Sequence, residues 1–100
     1  MYLLHGNLTA KAGHRDELAD ILIDASKLVS AVKGCKLYAI SKDAGDQNSI
    51  YVTEIWESKA DHDNSLNAEG VKTLIMKAVP ILDGPPQKGQ ELEILGGAGI

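Results

Sequence analysis

Val52-Thr53-Glu54-Ile55-Trp56-Glu57 runs without a break into Ser58-Lys59-Ala60-Asp61-His62-Asp63-Asn64-Ser65-Leu66. The first part is apolar and β-branched enough to read as a strand, and it ends at the chain's single tryptophan. The second part reads as the start of a helix, because Ser58 followed by Asp61 resembles a capping box with Asp in place of Glu. One indole and one imidazole are thereby predicted at the mouth of a single strand-to-helix junction. Such a mouth can form a mostly apolar pocket with a few polar groups, the usual setting for a small ligand.

Working outward, residues 42–49 consist of turn formers, so residues 36–41 and 50–57 are expected to be the two strands of a hairpin. Upstream, residues 2–10 alternate Tyr2, Leu4, Gly6, Leu8 against Leu3, His5, Asn7, Thr9, the period of a strand. Residues 14–33 place Leu18, Ile21, Leu22, Ala25, Leu28, Val29 and Val32 on one helical stripe. Asp16 and Glu17 suit the positive end of that helix, and Gly34 is expected to close it. Downstream, Asn67 is expected to cap a helix with the stripe Val71, Leu74, Ile75, Ala78 and Val79. Pro80 disrupts that helix, and Asp83-Gly84-Pro85-Pro86 leads out of it. Residues 91–95 form a last strand, and the glycines of residues 96–100 make a tail expected to be loose or packed on a partner subunit.

The order β-α-β-β-α-α-β is the split βαβ arrangement of an α+β, ferredoxin-like fold. A chain of 100 residues with 44% apolar content is expected to be one domain, residues 1–100, with a marginal core. The sheet's second face still carries apolar residues, which argues for a homodimer joined sheet to sheet. With no Phe, one Trp and three Tyr, the core is largely aliphatic, which gives Trp56 added weight.

A net charge of −4 with lysines spread singly argues against nucleic acid, whose phosphates require a concentrated positive field. Cys35 is the lone cysteine and has no metal-ligand spacing around it. A reducing cytoplasm is its expected setting. No signal-peptide pattern or membrane-spanning run is expected.

Several blocks together resemble the antibiotic biosynthesis monooxygenase-like domains, in particular the small quinol-monooxygenase-like members. They are Ala10-Lys11-Ala12-Gly13-His14-Arg15-Asp16-Glu17-Leu18, Gly34-Cys35-Lys36-Leu37-Tyr38, the strand ending at Trp56-Glu57, His62-Asp63-x-Ser65-Leu66, and Val71 to Gly84 with Leu74, Ile75, Ala78, Pro80, Ile81 and Leu82. The resemblance implies a dimeric α+β barrel with a pocket between sheet and helices in each subunit. It also implies oxygenation of phenols, hydroquinones or related aromatics by O2, without flavin, haem or metal. Other members degrade haem, but His62 follows Trp56 too closely for that branch's spacing.

An electron-rich phenol becomes oxidisable by O2 once deprotonated, and a protein promotes this with a base, hydrogen-bond donors and a dry cavity. His62 is the candidate base, with Asn7 beside it as the other candidate catalytic residue. Trp56, His5 and Tyr38 are candidates for substrate binding. Each has a plain structural reading: Trp56 as core, His62 as a surface histidine between Asp61 and Asp63, His5 and Asn7 as polar groups bonded to neighbours. Glu54 shares the face of Trp56 and is expected to pair with Arg15 or a lysine. A non-catalytic, dimeric ligand-binding or stress-associated protein is the alternative function. A continuous pocket lined by Asn7, Trp56 and His62 favours the enzyme, and a cavity closed by apolar side chains with His62 pointing to solvent favours the alternative.

Overall fold

The computed structural model describes residues 1–85 and 89–100. Strand β1 covers Tyr2–Thr9, helix α1 Arg15–Val29, strands β2 and β3 Cys35–Lys42 and Ser49–Trp56. Helices α2, Lys59–Ser65, and α3, Val71–Ala78, follow, then a short 3-10 turn, Val79–Ile81, and strand β4, Gln90–Glu93. The four strands form one antiparallel sheet in the order β2-β3-β1-β4. This is the expected α+β, ferredoxin-like arrangement, with the crossover helices lying on one face.

Register decides which side chains meet those helices. Tyr2, Leu4, Gly6 and Leu8 of β1 stand opposite Trp56, Glu54, Val52 and Ile50 of β3. All four of those β3 residues are buried, so this set is the inner face. Val52 and Ile50 join Leu18, Ala19, Leu22, Ala78 and Leu82 in one cluster, and Trp56 joins Val29 and Val71 in another. The alternate set, including Leu3, His5, Asn7, Tyr51, Thr53 and Ile55, forms the outer face. A bulge between Cys35 and Leu37 inserts one residue, Lys36, and so keeps both Cys35 and Tyr38 on the inner face.

Three boundaries differ from expectation. Helix α1 ends at Ser30 rather than at Gly34. Gly34 instead turns the chain into β2 at φ +88°, and a side chain there would collide with the carboxylate of Asp61. Its carbonyl accepts from the Glu57 amide at 2.9 Å, so this turn and the start of α2 are packed on one another. Helix α3 begins after Gly70 at φ +86°, not at Asn67. The Asn67 amide donates to the Asn64 carbonyl in the turn that closes α2, which removes it from the capping position. Strand β4 spans Gln90–Glu93 rather than residues 91–95, although the Ile94 amide still donates to the Met1 carbonyl at 2.9 Å.

The capping expectation at Ser58 is met: its hydroxyl accepts from the Asp61 amide. The helix of α3 passes into the 3-10 turn at Pro80, as the missing amide hydrogen of proline requires. Pro86, the end of the expected exit segment, lies outside the described residues. No helix among the described residues is long and apolar enough to cross a membrane.

Candidate functional site

Strand β3 ends with Glu54 and Trp56 pointing the same way, two residues apart, into the helical layer. Trp56 is completely buried, and its indole N–H donates to Glu54 Oε1 at 3.1 Å. That bond places a carboxylate in the interior, where an unpartnered polar group would be costly. Ser58 then starts α2, and one turn along the helix His62 swings back over the same strand. Its Nε2 lies 3.8 Å from Glu54 Oε1. The imidazole meets the indole edge to face at 6.0 Å between ring centres and the Tyr2 ring at 5.5 Å.

His62 is therefore no solvated histidine, its side chain being only 13% exposed. Its Nδ1 lies 3.0 Å from Asp63 Oδ1. An ionised carboxylate only accepts, so Nδ1 carries a hydrogen, and in the neutral form of the ring the lone pair is on Nε2. The Asp63 carboxyl is held below its usual range by the hydrogen bond from Lys59 and then by that from His62. Asp63 is thus an anion that orients the ring, while its own exposure lets water screen the charge. Asp61, the other flanking acid, lies against Gly34 instead.

Burial pushes the Glu54 carboxyl above the ordinary range, against the hydrogen bond from Trp56 and the neighbouring charge of His62. Tyr38, opposite Glu54 on β2, has its phenol raised far above the normal value by burial, then by Glu54, then by the Cys35 thiol. It remains a neutral hydroxyl at any working pH, so it can donate a hydrogen bond but cannot act as a base. Burial likewise raises the Cys35 thiol, with Glu54 adding to the effect. A raised thiol has a smaller thiolate fraction, which lowers its nucleophilicity.

Tyr38, Glu54 and His62 border a cavity of about 210 Å³ between the sheet and helices α1 and α3. Tyr38, Glu54, His62 and Ser65 are its polar wall residues, and Leu8, Leu22, Val71 and Leu74 are among its apolar ones. Leu66, Ile75 and Val79 also line it and remain about half exposed, so the opening lies between the end of α2 and α3. An apolar cavity of about 150 Å³ holds one benzene molecule. This one has room for a substituted single ring.

Of the residues singled out from sequence, His62, Trp56 and Tyr38 are brought together. Trp56 stands behind the cavity, holding Glu54, and does not line it. His5 and Asn7 go to the outer face of the sheet. His5 stacks on Tyr51 at 5.2 Å with Nδ1 3.0 Å from Thr53 Oγ1. Asn7 accepts from the Thr9 hydroxyl at 3.2 Å. The sheet separates both side chains from His62, because pairing with β3 sends Leu4, Gly6 and Leu8 inward.

Glu54 is the residue whose part was missed. The expected partner Arg15 lies elsewhere and donates to the Asp46 carbonyl at 2.9 Å. The alternation Ile50, Val52, Glu54, Trp56 was the available signal: an acid in the third place of a buried face. Among the described residues no group of three His, Cys, Asp or Glu side chains gathers in a way that could hold a metal ion.

The family model described as "Antibiotic biosynthesis monooxygenase" matches residues 1–76. A Chloroflexus aurantiacus J-10-fl protein provisionally given that same description is 32% identical and superposes with a TM-score of 0.87, covering 99% of this chain and 97% of its own. A Deinococcus radiodurans protein of the same provisional description is 25% identical, with a TM-score of 0.84 over 100% and 98% of the two chains. A Nitrosomonas europaea protein at 14% identity shares the fold with a TM-score of 0.90, over 98% and 93%. No curated protein matches the chain. The family match covers the whole run from β1 through most of α3, including Tyr38, Glu54, Trp56 and His62, and the chain belongs to the antibiotic biosynthesis monooxygenase family.

Proposed function

We propose that the protein is a monooxygenase that needs no cofactor and oxidises a small phenol or hydroquinone with O2 in the cavity beneath α2. The observation that carries this reading is the largely apolar chamber with Glu54 and His62 at one end, 3.8 Å apart. His62 Nε2 takes the phenolic proton. The Glu54 carboxylate offsets the charge the imidazole then acquires, and Asp63 holds the ring in place. Tyr38 donates to the phenolate oxygen or to reduced oxygen. Electrons leave the substrate for O2: a ring C–H and the phenolic O–H are lost, a C=O forms, and the second oxygen departs as water. The substrate supplies all the electrons, so no external reductant enters the balance.

The test is oxygen uptake by metal-stripped protein against a panel of phenols and hydroquinones, corrected for autoxidation. Uptake proportional to protein and insensitive to chelator supports the oxygenase. The absence of uptake from every member that binds would favour the non-catalytic ligand-binding protein on the same scaffold.

The site is expected to work in a homodimer. On the outer face, Leu37, Ile55, Leu3 and Leu92 stand side by side across β2, β3, β1 and β4, with Leu37 and Leu92 each at least 40% exposed. Covering that row removes apolar surface from water at about 25 cal/mol per Å². Light scattering at micromolar concentration is expected to give twice the chain mass, and a monomer would contradict the dimer.

A further inference from the structure

A second hollow of about 230 Å³ lies along the inner face of β1. It shares Leu8, Leu22, Tyr38, Glu54 and Ile75 with the chamber under His62, so the two adjoin along these side chains. Gly6 leaves part of this hollow free of side chain. Between Leu4 and Leu8 the inner face of β1 has Gly6, opposite Val52, and no side chain fills that place.

The fold does not demand a glycine there. Gly6 is not among the positive-φ glycines. Among the described residues, an added methyl group would meet only the Gly89 Cα at 3.7 Å, an ordinary contact. A glycine inside a strand costs stability relative to alanine, so the fold alone gives no reason for it. Leu4, Leu8, Leu22, Val52 and Ile75 make most of the wall near Gly6, with Asn7, Tyr38 and Glu54 its polar members, and neither hollow has a lysine or arginine among its described wall residues. A carboxylate carried into this space would have Glu54 nearby and no cation among the described wall residues, an expensive arrangement.

We propose that Gly6 is a specificity-determining residue that makes room for an uncharged aliphatic arm, so that the substrate is a single-ring phenol bearing an alkyl substituent. This rests on the reading of the site given above: the ring lies under His62 and Glu54, and the arm passes Tyr38 and runs along Gly6.

The test is calorimetric titration, without oxygen, of the full chain with para-methyl, para-propyl and para-pentyl phenol and with an acid-ended analogue of matched length. In the native protein, affinity is expected to rise about fourfold per added methylene. The acid-ended compound is expected to bind about tenfold more weakly or worse. Gly6→Val is expected to flatten the dependence on arm length, and Gly6→Ala, whose methyl the structure accommodates, to reduce it part of the way. An equal slope in native protein and both variants would overturn the proposal. So would equal binding of the acid-ended arm, or no binding of any phenol. Because these titrations read no turnover, a steep slope in a protein that consumes no oxygen leaves the arm's place intact and removes the oxygenase reading. Oxygen uptake with a flat slope does the reverse.

Discussion

Replacing Trp56 by Ala is expected to cost about 3–5 kcal/mol of stability, the usual penalty for emptying a buried aromatic site. Three features of the structure put the loss at the upper end. The indole is wholly buried. It sits between Val29 of α1 and Val71 of α3, so its removal loosens both long helices at once. Its N–H is also the donor that satisfies Glu54, and a buried carboxylate deprived of that bond adds roughly 1–3 kcal/mol. A domain of this size has about 5–15 kcal/mol in total. At roughly 4–8 °C per kcal/mol, the melting temperature is expected to fall by about 20 °C or more. Trp56→Phe keeps most of the volume and loses the donor, so its fall is expected to be smaller. A melting temperature for Trp56→Ala within about 5 °C of the native value, at about 4–8 °C per kcal/mol, would show that the indole does not anchor the core.

Replacing His62 by Ala is expected to act on the reaction far more than on the fold. The imidazole packs against the rings of Tyr2, at a tilt, and Trp56, edge to face, and makes side-chain contacts with Asp63 and Glu54. The cap and backbone bonds that start α2 are made by Ser58 and survive the change. Loss of a positioned general base lowers kcat by about 10²–10⁴-fold. That is the expected fall in oxygen uptake at saturating phenol, with the phenol still bound in the cavity. Glu54→Gln keeps an acceptor for the indole N–H while removing the charge beside Nε2, and its loss of rate is expected to be smaller than that of His62→Ala. Undiminished uptake by His62→Ala would remove the imidazole from the reaction.

Much of this architecture was legible in the sequence because its signals are local. The stripe from Leu18 to Val29 is satisfied by a helix with one apolar face turned to a core. The turn-rich residues 42–49 leave their flanking strands little choice but to pair, and the hydroxyl of Ser58 announces the start of α2. The site was legible in part for the same reason: Trp56 and His62 are separated by one strand end and one helical turn, so local geometry brings them together.

What was not legible depends on contacts distant in sequence. The side of the sheet taken by His5 and Asn7 is set by the register of β1 against β3, and one residue of slip would exchange the two faces. Here the apolar set Tyr2, Leu4 and Leu8 decides that register, which sends the polar set outward. The partners of Glu54 were hidden because its charge suggested a surface cation, whereas it is the inward pleat of β3 that delivers it to Trp56 and His62. The caps at Ser30 and Gly70 replaced those expected at Gly34 and Asn67. Gly34 is drawn to the close approach of Asp61, and Asn67 to the turn that ends α2.

The most direct test of the proposed reaction is the mass of the product formed under heavy-isotope O2 by metal-stripped protein with whichever phenol gives the fastest uptake. Incorporation of a single heavy oxygen atom, with the other recovered in water, is the predicted result. A product without label, accompanied by hydrogen peroxide in proportion to the oxygen consumed, would contradict it and make the protein an oxidase.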